Sequence, residues 1–120
     1  MSVVPEDALA AVRWLADGAL RGRRWELAHD LLLGCVTAAP DDRWATLALA
    51  RVAIARGDLR FAEEVVRFAR QRHPADPAAR LLEARLALAR GDRATAHACL
   101  QGLGSATARA LRDRLRATAP

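Results

Sequence analysis

Apolar residues along the chain recur at three- and four-residue steps, in segments of helical length separated by short breaks centred on Gly or Pro. Leu9, Val12, Leu15 and Ala19 share one such phase and predict a helix from about Pro5 to Leu20. Pro5 suits its first turn, and Glu6 and Asp7 complement the positive end of its dipole. After Arg21-Gly22-Arg23, a second helix is expected from Trp25 to about Ala39, with Leu27, Ala28, Leu31, Leu32, Cys35 and Val36 on a broad buried face. Pro40 closes that segment, and Asp41 is the expected N-cap of a third helix, about Asp42 to Arg56. Its run from Trp44 to Ala55 is apolar almost all round, so it must be covered on more than one side. Asp58 caps a fourth helix, Leu59 to about Arg72, with Phe61, Ala62, Val65, Val66, Phe68 and Ala69 facing inward and Glu63, Glu64, Arg67 and Arg70 facing water. Asp76-Pro77 opens a fifth, through Leu81, Leu82, Leu86 and Leu88 to Gly91, and Asp92 starts a sixth that ends near Leu103. After Gly102-Leu103-Gly104, Ser105 caps a seventh, where Ala108, Leu111 and Leu115 form a narrow apolar stripe and Arg109, Arg112, Asp113, Arg114 and Arg116 the other face. The pattern therefore predicts seven helices and no strand.

The helices come in pairs, and the pairs repeat. Ala55-Arg56-Gly57-Asp58 returns as Ala89-Arg90-Gly91-Asp92, 34 residues later. Ala28, Ala62 and Ala96 keep that step, as do Pro40 and Pro74, and Leu47 and Leu81. The first pair departs from the rule: Gly22 lies six residues before Ala28, whereas Gly57 and Gly91 each lie five before their alanines, which predicts one extra residue in the first turn. A 34-residue period with a Gly between two helices, a small residue five positions on and a closing Pro resembles the tetratricopeptide repeat. The resemblance covers about residues 8 to 104 and implies an all-α, right-handed solenoid of three helix hairpins plus a C-terminal capping helix. The whole chain, residues 1–120, is then one domain, with repeats at about 8–42, 43–76 and 77–104 and the capping helix at about 105–118. The aromatic positions of the family's first helix are largely Leu or Ala here.

Charge modifies this picture little. All 19 basic residues are Arg, and they are interleaved with 14 carboxylates, so the net charge of +5 describes a solvated helical surface better than a nucleic-acid-binding block. The Arg-for-Lys and Ala-rich bias is one that a GC-rich genome produces. No run has the length of a membrane span, and the N-terminus lacks the basic-then-apolar order of a leader, so a soluble cytoplasmic protein is expected. Cys35 and Cys99 lie on helical faces and are expected to be free, buried thiols.

Catalytic chemistry finds no constellation. His29, His73 and His97 are far apart, with His29 and His97 at equivalent sites expected on the surface, and His97-Ala98-Cys99 has no second ligand pair to complete a zinc site. There is no phosphate-binding loop and no dinucleotide glycine pattern, and Gly102-Leu103-Gly104-Ser105 is a helix break. Adjacent Glu63 and Glu64 diverge on a helix and are expected to pair with Arg60 or Arg67. No catalytic residue, cofactor or metal is expected. What remains is the groove that first helices line on the concave side of a solenoid. Aligning Gly57 and Gly91 with the repeat pattern places Trp44, Leu47, Arg51 and Ile54 there, with Leu81, Arg85 and Leu88 beside them and Leu9 and Val12 from the first repeat. Such a surface, apolar with two guanidinium groups one period apart, suits an amphipathic helix or an extended segment bearing carboxylates from another protein. Leu47, Ile54 and Leu88 have the alternative role of core between repeats.

The repeat subgroup that clamps heat-shock-protein tails with Lys and Asn is not matched, since the chain has neither residue. A three-repeat protein of this size with a capping helix is similar to the small chaperones of bacterial type III secretion, of the YscY-like or YscG-like kind, which hold an export substrate or needle component. That resemblance implies a non-enzymatic chaperone. The competing readings are a generic scaffold joining other proteins and a nucleic-acid-binding domain acting through the Arg-rich last helix. Self-association and a hetero-complex both stay open at this stage.

Overall fold

A computed structural model describes residues 6–117, and all its regular structure is helical: α1 (Glu6–Arg21), α2 (Trp25–Ala38), α3 (Arg43–Ala55), α4 (Leu59–Arg72), α5 (Pro77–Ala89), α6 (Arg93–Leu100) and α7 (Ala106–Ala117). The expectation for Pro5 at the start of α1 lies outside the described residues. Helices α1 and α2, α3 and α4, and α5 and α6 pack as hairpins; α2 then packs on α3, α4 on α5, and α3 on α5. The stack is elongated, 51 × 28 × 25 Å. Three helix hairpins and a seventh helix make an all-α solenoid, as the period predicts.

The small residue at each hairpin crossing is sealed. Ala28, Ala62 and Ala96 are all fully buried, which lets the two helices of each pair approach closely. Helix α3 is the most enclosed element, with Ala45, Thr46, Ala48, Leu49, Ala50, Val52 and Ala53 buried. Its apolar circumference is covered by α2, α4 and α5.

Four of the six N-caps described here are aspartates whose carboxylates accept backbone N–H groups: Asp42 from Ala45 at 3.1 Å, Asp58 from Phe61 at 3.3 Å, Asp76 from Ala78 at 3.0 Å and Asp92 from Thr95 at 3.1 Å. Ser105 Oγ does the same for Ala108 at 3.1 Å. The expectation that Asp41 caps the third helix is corrected: Asp42 is the cap, and the exposed Asp41 carboxylate pairs with Arg72 instead. Helix α6 also stops at Leu100 rather than Leu103, because Gly102 turns the chain at φ 79°. Its open carbonyls are taken up by guanidinium groups: Arg112 donates to Leu100 O and Leu103 O, both at 2.7 Å, and Arg80 to Gln101 O at 2.9 Å. Arg93 in turn donates to Leu115 O of α7. Arg112 and Arg93 thus join α7 to the last hairpin, while Arg109, Asp113, Arg114 and Arg116 stay exposed on its outer face, as expected.

The first turn is not longer than the others. Each hairpin has three residues between its helices, and the residue in the left-handed conformation is Arg23 (φ 55°), Gly57 (φ 76°) and Gly91 (φ 78°) in turn. The same closing bond follows each of them: Arg24 N–H to Ala19 O at 2.9 Å, Asp58 to Ala53 at 3.0 Å and Asp92 to Ala87 at 2.9 Å. The glycine of the first turn is displaced by one position, and an arginine takes the strained place. Arg24, at the position of the capping aspartates, makes no side-chain cap.

Counted from Arg23, the 34-residue register runs unbroken. Two further expectations are corrected by what stands around each side chain. Leu27, expected on the buried face of the second helix, is 40% exposed, and on α1 Leu15 and Trp14 are 50% and 76% exposed. His29, expected on the surface, is half-buried: its ring meets Phe61 edge-on at 5.3 Å, and its Nδ1 is buried without a hydrogen-bond partner.

Candidate partner-binding groove

Helices α3 and α5 run side by side, and one face of the pair opens into a groove of roughly 270 Å³ lined by Arg43, Trp44, Leu47, Ala48, Arg51, Ala78, Leu81, Leu82 and Arg85. Its floor is apolar because positions three and four apart on both helices are Leu or Ala. A second hollow continues from Arg85 toward the C-terminus, lined by Ile54, Leu88, Ala89, Thr107, Ala110, Leu111 and Arg114. The two hollows share Arg85.

Seven of the nine residues picked from sequence therefore line one continuous surface: Trp44, Leu47, Arg51, Leu81 and Arg85 in the first hollow, Ile54 and Leu88 in the second. Leu9 and Val12 line neither hollow and pack, half-buried, on the main core. Their placement followed from taking Gly22 as the turn residue; with Arg23 there, the first-repeat counterpart of Leu47 and Leu81 is Arg13. That arginine was missed. Its guanidinium stands 5.2 Å from the centre of the Trp44 ring and its Nε lies 3.4 Å from Asp42, so one face of the indole is already covered from α1. The contribution of α7 was missed as well, since the spacing of Thr107, Ala110 and Arg114 carries no sign of where the helix docks.

Electrostatics single out two of the arginines. Arg43 at the rim is committed: it forks onto Asp76, with Nη2 to Oδ1 at 2.8 Å, and its hydrogen bond holds that carboxyl below the usual range. On the opposite side of the stack, Glu63 takes both Arg67 and Arg90, and Glu83 takes Arg70 at 3.1 Å. Arg51 and Arg85 have no hydrogen bond or ion pair among the described residues. Burial, and after it the charge of Arg51, pull the half-buried Arg85 guanidinium below its ordinary value. Two like charges thus line one apolar floor with no counter-ion among the described residues. An incoming carboxylate would relieve both the desolvation and the repulsion.

Other chemistry is sparse. No group of three or more His, Cys, Asp or Glu among the described residues is placed to hold a metal ion. Cys35 and Cys99 are free, and burial pushes both thiols up, away from the thiolate that a nucleophile needs. No helix among the described residues is long and apolar enough to cross a membrane.

No known family model and no curated protein matches the sequence. Solved structures do match the fold. A tetratricopeptide-repeat domain of OM64 from Arabidopsis aligns with a TM-score of 0.80 over 94% of this chain and 98% of that one, at 15% identity. The type III secretion chaperone SycD of Yersinia enterocolitica, solved with a peptide of the translocator YopD, aligns with a TM-score of 0.78 over 94% of this chain and 90% of that one, at 19% identity. At these identities the likeness is one of fold: the chain is an all-helical solenoid of the tetratricopeptide-repeat type.

Proposed function

We propose that the protein is a non-enzymatic binding module whose α3–α5 groove holds a segment of another protein, and that it serves as a small chaperone of type III secretion, keeping an export substrate or needle component in a competent state. The observation that carries the first part is the pair Arg51 and Arg85, without an ion pair among the described residues, over the apolar floor made with Trp44, Leu47 and Leu81. An empty surface of this kind costs solubility, and an amphipathic helix or extended segment with a carboxylate satisfies both of its halves. The second part is supported by the three-repeat size, the capping helix and the likeness in fold to SycD, a secretion chaperone that holds a translocator peptide. The alternative is a generic repeat scaffold joining other proteins. Neighbouring genes of a secretion apparatus decide between them. A nucleic-acid-binding role through the Arg-rich α7 is a further alternative, with Arg109, Arg114 and Arg116 exposed and Arg112 held on the carbonyls of Leu100 and Leu103.

The test is titration calorimetry against the partner recovered from the native host, with circular dichroism as the folding control. Trp44→Ala should weaken binding by about 2 kcal/mol, the scale of an aromatic hot spot. Arg51→Glu should weaken it through charge repulsion, and both variants should stay folded. Wild-type affinity in both variants overturns the groove assignment.

A further inference from the structure

A second apolar surface lies at the other end of the stack, and the repeat register says what kind of surface it is. Adding 34 to Trp14, Leu15 and Gly18 gives Ala48, Leu49 and Val52; adding 34 again to Trp14 and Gly18 gives Leu82 and Leu86. Those five counterparts are 0–5% exposed, because the faces they occupy in α3 and α5 are the ones on which the preceding hairpin stacks. In α1 the same face meets no described element. Trp14 is 76% exposed and Leu15 50%, a Cβ added at Gly18 would meet nothing within 4 Å, and Leu27 and Leu31 of α2 complete the hollow. Among the described residues this is a stacking face without a neighbour, and it is distinct from the α3–α5 groove.

We infer that this face is the contact through which two copies of the chain pair, α1 and α2 of one against α1 and α2 of the other about a two-fold axis. Three observations favour a second copy. The far end of the stack is closed: Ala108, Leu111 and Leu115 of α7 lie buried with Leu100 and Leu103, so an open end has no complementary end to stack on head to tail. Among copies of this chain only open end can then meet open end, an arrangement that closes at two copies and grows no filament. The rim carries both signs, Asp17 and Arg21 joined at 2.8 Å and Arg24 without an ion pair among the described residues. Such a mixed rim presents no single-sign repulsion to a second copy of itself. The face has the size of a weak contact. Two helices of this length side by side span roughly 20 Å by 20 Å, so two such faces come to the order of ~800 Å², the range of weak, concentration-dependent pairs below the ~1,200 Å² of stable ones.

The experiment is analytical ultracentrifugation of the full chain from about 1 to 100 μM, a range that brackets micromolar Kd values. Wild type should shift from monomer to a two-copy species with rising concentration. Trp14→Glu, and separately Leu15→Glu, should remain monomeric through at least a tenfold higher concentration. Both side chains are largely solvent-exposed in the single copy, so the far-ultraviolet spectrum should not change, and a variant that fails this control is replaced by Trp14→Ala. A wild-type chain that stays monomeric throughout overturns the inference and leaves the face to a different protein. A two-copy species that survives both acidic substitutions overturns it too, by moving the contact elsewhere.

Discussion

Replacing Arg23 by glycine should stabilise the protein, although it removes a long side chain and a charge. Arg23 holds φ 55° at the centre of the first turn, where the next two turns have Gly57 and Gly91. A left-handed backbone costs a residue with a Cβ about 1–2 kcal/mol. Glycine returns roughly 0.4–1 kcal/mol of that through the greater freedom of the unfolded chain. The Arg23 side chain is exposed and makes no hydrogen bond or ion pair among the described residues, so no contact is lost with it. The balance is a gain of about 0.5–1 kcal/mol, or a rise in Tm of about 2–6 °C for a domain of this size. Gly22→Ala is the companion variant. Gly22 has no positive φ, its N–H bonds Gly18 O at 3.0 Å as in a helix, and an added Cβ would meet that oxygen at 3.5 Å, an ordinary contact. It too should be stabilising, by about 0.4–1 kcal/mol. Urea unfolding followed by circular dichroism, in which a shifted midpoint at unchanged slope reports stability alone, measures both. If Gly22 were the left-handed residue, Gly22→Ala would lower the midpoint and Arg23→Gly would not raise it. That pair of results would refute the register on which the open α1 face rests.

Two further outcomes bear on the stack and its caps. Ala62→Arg or Ala96→Arg should cost on the order of 3–5 kcal/mol, the cost of an uncompensated buried charge, since both alanines are fully buried between paired helices; an unchanged melting temperature would show that neither marks the crossing. Asp76 should make stability fall with acid: the Arg43 hydrogen bond depresses its folded-state pKa, so the stabilisation is complete above the unfolded value of about 3.9 and is lost as pH drops through the lower folded value. Asp76→Asn keeps a capping side chain but not the ion pair, so the gap between wild type and variant should close between neutral pH and about pH 2, and a gap independent of pH would refute the assignment.

Most of the architecture was legible because local and global signals agree in the second and third repeats. Gly57-Asp58 and Gly91-Asp92 put a permissive backbone and a cap side by side, and the helices on either side follow from them. The first repeat breaks the agreement. A glycine one position early pulls the eye to the wrong turn residue, and nothing in the letters Arg-Gly-Arg-Arg says that an arginine takes the left-handed place. The error then propagates by a fixed amount: Leu9 and Val12 were assigned to the groove, while Arg13, one residue beyond Val12, is the side chain over Trp44. The Asp41 and Asp42 assignment failed for a related reason, since either carboxylate has the chemistry of a cap and only the path of the chain decides which one reaches Ala45 N–H.

The groove and the open end show two limits of different kinds. Arg51 and Arg85 could be paired from sequence because one period separates them on equivalent helix faces; that neither finds a carboxylate could not, because Asp76 and Glu83 are near in sequence and are consumed by Arg43 and Arg70. Burial at the open end is a still less local property. Leu15 and Leu49 occupy the same phase of equivalent helices and read identically as core, yet one is 50% exposed and the other 1%. The difference lies wholly in whether a hairpin stands on that face. A stripe of apolar residues in a repeat protein therefore specifies a surface that seeks a neighbour, and the neighbour is supplied by the chain for α3 and α5 but not, among the described elements, for α1. The same reasoning separates the two surfaces in function. The groove keeps unpaired charge and suits a partner that brings a carboxylate, whereas the α1 face carries both signs around an indole and suits a surface like itself.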